Sequence, residues 1–149
     1  MNRFLLLFAT GLGVGFCPIV PGTFGTLLGI PLACLLSSIA YPFYELTVIA
    51  FFFLSCWIAD RAERYWGRKD DRRIVIDEVM GFLVTMFWIP ASLPKIAAGF
   101  IAFRFFDIVK PFPIRRLEHV KGGLGVVLDD VLAGIYANLS VRLLILILR

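Results

Sequence analysis

Long apolar stretches broken by proline, glycine and short charged clusters run the length of the chain. Phe4–Phe16, Leu46–Ala59 and Val79–Ile89 carry no charge at all. Phe4–Phe16 holds Gly11, Gly13 and Gly15, and each glycine costs a helix roughly 1 kcal/mol. That end is expected to be short, kinked or only partly inserted. Arg3 followed by this run has the outline of a signal peptide. No Ala-x-Ala-like site follows and Pro18 and Pro21 come instead, so the segment is read as retained structure. Cys17–Gly22, with two prolines and a glycine, is a loop.

Beyond it, helices are expected from Thr23 to about Ile39, Tyr44 to Trp66, Ile76 to Trp88, Lys95 to Val109, and Val126 to Leu148. The turns fall at Tyr41-Pro42-Phe43, Gly67–Arg73, Ala91–Pro94 and Lys110–Gly125. The pattern predicts an all-α chain, a bundle of about five or six helices in a single domain over 1–149. Asn138-Leu139-Ser140 matches a glycosylation sequon, but it lies inside a helix and is discounted.

Composition sharpens the class. The apolar fraction is 60%, against roughly 45–50% in soluble domains. Mean hydropathy is +0.88. A polytopic membrane bundle is the leading class; the rival is a small soluble bundle that dimerises through greasy faces. The apolar runs reach the roughly 20 residues of a span only if charged flanks such as Asp60–Trp66 or Ile74–Glu78 continue the same helices. The net charge of +4 fits loop lysines and arginines of a small membrane protein. No stacking aromatics interleave with them in a polar context, which argues against nucleic acid. Cys17, Cys34 and Cys56 show neither zinc spacing nor a disulfide framework and read as small buried residues.

Against this background the carboxylates stand out. Asp77 and Glu78 sit inside the run Ile74-Val75-Ile76-Asp77-Glu78-Val79-Met80-Gly81, where an unmatched charge is unfavourable. Asp107 closes one apolar segment and Asp129-Asp130 open another. Short turns make neighbouring helices antiparallel, so these three sites fall on one face. The loops of that face hold Arg68, Lys69, Arg72, Arg73, Lys110, Arg115, Arg116 and Lys121. On the opposite side, Tyr41–Glu45 and Pro90–Lys95 hold only one basic residue, Lys95. The asymmetry predicts that the acidic face is cytoplasmic.

Five carboxylates at one layer suit a hard cation such as magnesium. Capping and the helix dipole account for Asp77, Glu78, Asp129 and Asp130 without a metal. They do not account for Asp107, near a helix C-terminus, which needs a metal or the flanking Arg104 and Lys110. Thr23-Phe24-Gly25-Thr26 offers hydroxyls and backbone N–H groups for an anion; an ordinary N-cap with close helix packing is the plainer reading. Arg104, Lys110 and Arg115 could hold phosphate oxygens. Arg104 is the hardest to dismiss, since it lies within Phe100–Phe106. Asp60 and Glu63 read as an interfacial helix end with no role, and His119 as a solvated loop residue.

Absences narrow the chemistry. One histidine excludes phosphatases that need two. The sixth residue after each cysteine is Thr23, Ala40 or Ala62, so no Cys-x5-Arg phosphate loop exists. Asp107-Ile108-Val109-Lys110 is not an Asp-x-Asp nucleophile motif. Metal and an activated water remain.

Four ordered stretches carry a specific resemblance. They are Pro18–Leu27, Ile74–Gly81, Phe103–Arg115 and Gly122–Gly134, the last containing Leu128-Asp129-Asp130-Val131. In these the chain closely resembles phosphatidylglycerophosphatase A, a magnesium-dependent bacterial lipid phosphatase, over most of its length. The resemblance implies hydrolysis of phosphatidylglycerophosphate to phosphatidylglycerol and phosphate at the inner membrane, with the site facing the cytoplasm. Joined to the residue reading, it casts Asp77, Glu78, Asp107, Asp129 and Asp130 as holders of Mg2+. Asp77, Glu78, Asp107 and Asp130 are then catalytic, while Thr23, Thr26, Arg104, Lys110 and Arg115 bind substrate. The partners implied are the lipid substrate and the bilayer, and the oligomeric state is left open. The alternatives are a small cation transporter using the acidic layer as an ion site, and a non-catalytic membrane scaffold. A CDP-alcohol phosphotransferase lacks support, because its run of spaced aspartates with an early Asp-Gly is absent.

Overall fold

The computed structural model describes residues 2–117 and 119–148. Among them the chain forms seven α-helices and no strand. These are α1 (Arg3–Ala9), α2 (Pro21–Leu36), α3 (Phe43–Trp66), α4 (Ile76–Thr85), α5 (Leu93–Val109), α6 (Ile114–Leu117) and α7 (Gly123–Ile147), with a 3-10 turn at Val14–Phe16. Five of them occupy the five apolar segments. The short α1 and α6 bring the number above the expected five or six.

α3 and α7, of 24 and 25 residues, are long and apolar enough to cross a membrane. At 1.5 Å per residue they reach about 36 Å, more than the roughly 30 Å of a hydrocarbon core. Apolar side chains also point outward along them. Ile101, Phe105 and Ile108 form one exposed stripe on α5, and Leu139, Leu143 and Leu146 another on α7. Exposed apolar surface on this scale marks contact with lipid or another apolar partner.

α4 is the hub. It has only 10 residues, about 15 Å of helix, and Ile76, Asp77, Val79, Met80, Gly81, Phe82, Leu83 and Thr85 are all buried. α2, α3, α5 and α7 surround it. Two glycines let α7 approach closely. A Cβ on Gly134 would strike the Gly81 carbonyl, and a Cβ on Gly81 would strike the Phe103 ring and crowd the Asp130 carbonyl. The α4 backbone is thereby pressed onto α7 one turn beyond Asp77 and Glu78.

The expected run of this helix to Trp88 is cut short at Thr85. The reason lies on α7. The Asn138 amide donates to the carbonyls of Thr85 at 2.8 Å and Phe87 at 2.9 Å. Arg142 Nη2 donates to Phe87 as well, at 2.8 Å. Helix ends leave carbonyls without partners, and α7 supplies the donors here.

The N-terminal segment packs into the same body. α1 stops at Ala9, and Gly11 and Gly13 take left-handed backbone angles at φ +54° and +97°, as their lack of a side chain allows. The Val75 amide, just before α4, donates to the Ala9 carbonyl at 2.9 Å. The head of α4 is thus fixed from the N-terminal side.

Candidate active site

The first turn of α4 carries Asp77 and Glu78, and the second turn of α7 carries Asp130. One carboxylate oxygen from each of the three lies within 4.8 Å of the other two. Each also has a buried oxygen with no hydrogen-bond partner among the described residues: Asp77 Oδ1, Glu78 Oε2 and Asp130 Oδ2. At 4.8 Å and an effective dielectric of about 20, each like-charged pair costs about 3 kcal/mol. A divalent cation relieves that repulsion. Oxygens held 2.0–2.1 Å from an octahedral ion lie about 3 Å apart in cis and about 4 Å in trans. The three oxygens, all within 4.8 Å of one another, are already close to those separations. The donor set, all carboxylate oxygen, fits a hard cation.

The other two acidic residues have cationic partners. Asp107 Oδ2 accepts from Arg104 Nη1, one turn earlier on α5. Its charge still acts on both Glu78 and Asp130, so it borders the group of three. Asp129 Oδ2 accepts from Lys110 Nζ at 2.7 Å. Adjacent helical residues point about 100° apart. Asp130 therefore faces α4, while Asp129 faces the end of α5.

Arg104 is the central cation. Besides its pair with Asp107, its Nε is buried without a partner among the described residues. Its Nη1 and Glu78 Oε1 both border Gly22, at the start of α2. A Cβ there would collide with Glu78 Oε1 and crowd the guanidinium. α2 begins at Pro21 after Val20, which takes φ +44° and offers no side-chain cap. Thr23 is therefore inside the first turn rather than an N-cap, and it is half-buried. Thr26 is fully buried, and its hydroxyl donates to the Gly22 carbonyl at 2.9 Å. Its proton is committed to its own helix and is not offered to a ligand.

Arg115 is exposed on α6. It lines a cleft of about 460 Å³ together with Lys110, Phe112, Arg116 and His119. The cleft is basic and shares Lys110 with the carboxylate layer.

The loop Gly67–Arg73, read from sequence as merely solvated, does more. The charge of Asp70 acts on Asp77 and Asp129. Glu63, given no role, accepts from the Asp70 amide at 2.7 Å and anchors the loop. Asp71 is buried and accepts two hydrogen bonds from the Arg73 guanidinium, at 2.7 and 2.8 Å. Those bonds hold its carboxyl below the usual carboxylate range. Arg73 in turn stacks on the Trp66 ring, 4.3 Å from its centroid. The signal in the sequence was a second acidic pair, Asp70-Asp71, six residues before Asp77.

Comparison with known proteins agrees with this arrangement. A family model described as Phosphatidylglycerophosphatase A matches residues 7–145. A Haemophilus influenzae protein named phosphatidylglycerophosphatase A is 40% identical over 138 residues, covering 91% of this chain and 85% of its own. An Escherichia coli protein of the same name is 37% identical over 131 residues, covering 87% and 76%. A Bacteroides thetaiotaomicron protein, provisionally named a phosphatidylinositol-3-phosphatase, is 39% identical over 141 residues, covering 89% and 87%. No solved structure matches the chain. With a family match across nearly its whole length and a layer of carboxylates and cations at the motifs that carry it, this phosphatase belongs to the phosphatidylglycerophosphatase A family.

Proposed function

We propose that this chain hydrolyses phosphatidylglycerophosphate to phosphatidylglycerol and phosphate, using Mg2+ held by Asp77, Glu78 and Asp130. The observation that carries the reading is the meeting of three carboxylates, each with a buried, unpartnered oxygen, with the Arg104 guanidinium beside Glu78. When bound, a divalent ion supplies charge neutralisation at the phosphoryl group.

The protein's own residues do the rest. Lys110 and Arg115, at the mouth of the basic cleft, attract the phosphomonoester, and Arg104 presents its guanidinium next to Glu78. Arg104 also fixes one oxygen of Asp107. The other oxygen accepts the proton of the attacking water as the phosphorus–oxygen bond to glycerol breaks. The leaving alkoxide takes that proton from Asp107 and departs as the lipid alcohol. Asp129 holds Lys110 in place, and Thr23 lines the start of α2. Asp129 is a positioning residue in this scheme rather than a metal ligand.

Orientation follows from charge. Arg68, Lys69, Arg72, Arg73, Arg115, Arg116 and Lys121 cluster in the loops beside the carboxylate layer, which supports a multi-pass protein of the bacterial inner membrane with this face in the cytoplasm. The apolar stripes on α5 and α7 then meet the acyl chains. A cation path would need carboxylates through the depth of the bundle, whereas these gather at one end. A scaffold would leave three buried oxygens unmatched for no gain.

The name of the Bacteroides relative favours a second reading, in which another lipid phosphomonoester is preferred. Purified protein assayed for phosphate release on phosphatidylglycerophosphate and phosphatidylinositol 3-phosphate distinguishes the two. Turnover of the first substrate is expected to dominate, to stop in excess chelator and to return with magnesium. Turnover indifferent to chelator rejects the metal reading.

A further inference from the structure

A cavity of about 330 Å³ opens at the end of the bundle remote from the carboxylate layer. The end of α2, the start of α3 and the segment after α4 enclose it, and Tyr41, Tyr44, Glu45 and Trp88 are among its walls. Glu45 Oε1 accepts from Trp88 Nε1 at 2.8 Å. The second oxygen, Oε2, is buried and meets no donor among the described residues. Leaving a carboxylate oxygen buried without a donor is unfavourable.

The backbone is arranged around this carboxylate. Trp88 takes φ +58°, a left-handed conformation that a bulky L residue adopts only under constraint. Its ring stacks on Phe87, with centroids 5.7 Å apart and planes 7° apart. Phe87 in turn lies 5.3 Å from Tyr44. The nearby cation does not fill the gap: Arg142 donates its Nε to Asn138 and its Nη2 to the Phe87 carbonyl.

A carboxylate oxygen lacking a donor, set among aromatic faces, matches one chemistry. An ammonium supplies N–H donors to the oxygen and positive charge to the rings. An anion would be repelled by Glu45, and one carboxylate is too few for a resident metal. We propose that this cavity binds a primary ammonium group, as carried by an aminophospholipid headgroup or a free amine. Tyr41 and Trp88 are exposed by 78% and 61%, as aromatic residues at a membrane–water boundary are. The lipid headgroup is the source expected.

Native mass spectrometry of the full chain, released from micelles doped with equal amounts of short-chain lipids, tests this. Phosphatidylethanolamine is expected to be retained above phosphatidylglycerol. It is also expected to exceed phosphatidylcholine, which has the charge without N–H donors. Glu45→Gln keeps an acceptor for Trp88 but removes the charge, and should weaken ethanolamine-lipid retention about tenfold while phosphate release is unchanged. Free ethanolamine that displaces the lipid identifies the amine alone as ligand; a lipid adduct that persists identifies the lipid. Equal retention of the three lipids by the wild-type chain overturns the proposal, as does full retention of phosphatidylethanolamine by the folded Glu45→Gln variant.

Discussion

Gly22 of α2 and Glu78 of α4 touch so closely that no β-carbon fits between them. The contact joins the start of one helix to a carboxylate of the metal-fitting group, and it also places Arg104 Nη1 beside that carboxylate.

Gly22→Ala therefore tests whether the position of Glu78 matters to chemistry. Alanine favours a helix more than glycine by about 1 kcal/mol, so the fold itself should not suffer. Displacing the Glu78 carboxylate should lower phosphate release about tenfold or more, with helix content by circular dichroism unchanged. Wild-type turnover would show that Glu78 need not stand where the structure puts it.

Asn138 tests the account of how α4 ends. Its amide serves the carbonyls of Thr85 and Phe87, and its Oδ1 accepts from Arg142 Nε at 2.7 Å. Asn138→Ala leaves those carbonyls without that donor and should cost about 2 kcal/mol. A fall in Tm of about 4–8 °C in detergent is the expected reading. The Asn138→Asp variant, which keeps the acceptor but loses the amide donor, should fall by a similar amount.

The Asp71–Arg73 pair carries a pH dependence. Arg73 holds the Asp71 carboxyl below its ordinary value. A depressed folded-state pKa contributes stability that is present above the unfolded value and lost as pH falls through the folded one. Thermal unfolding of wild type and Asp71→Asn should thus differ most near neutrality. The difference should shrink as pH drops below about 4, the ordinary carboxylate value. A gap that is constant across this range would mean that the loop does not depend on the ionised form.

Much of this was legible in the sequence, for identifiable reasons. Proline and glycine between long apolar runs gave the five main helices, since they break helices wherever they fall. Asp77 and Glu78 declared themselves as charges within an apolar run. The end of α4 did not, because the residues that stop it, Asn138 and Arg142, lie more than fifty positions later on another helix. Asp129 and Asp130, as neighbours, both read as metal holders. Helical geometry separates them, and only their packing partners, Lys110 for one and α4 for the other, show which is which. Asp107 called for a metal or a basic neighbour, and the structure pairs it with Arg104. Thr26 looked like a phosphate ligand because nothing local reveals that its hydroxyl bonds back to Gly22.

The central claim is that Asp77, Glu78 and Asp130 together hold one divalent ion. Electron paramagnetic resonance of Mn2+ added to the purified chain measures this directly, with magnesium as competitor. The wild-type protein is expected to bind manganese in a form that magnesium displaces. Asp77→Asn and Asp130→Asn should each weaken that binding about tenfold or more, while Asp129→Asn leaves most of it intact. Manganese bound equally well by the wild type and by the Asp77→Asn and Asp130→Asn proteins would contradict the account.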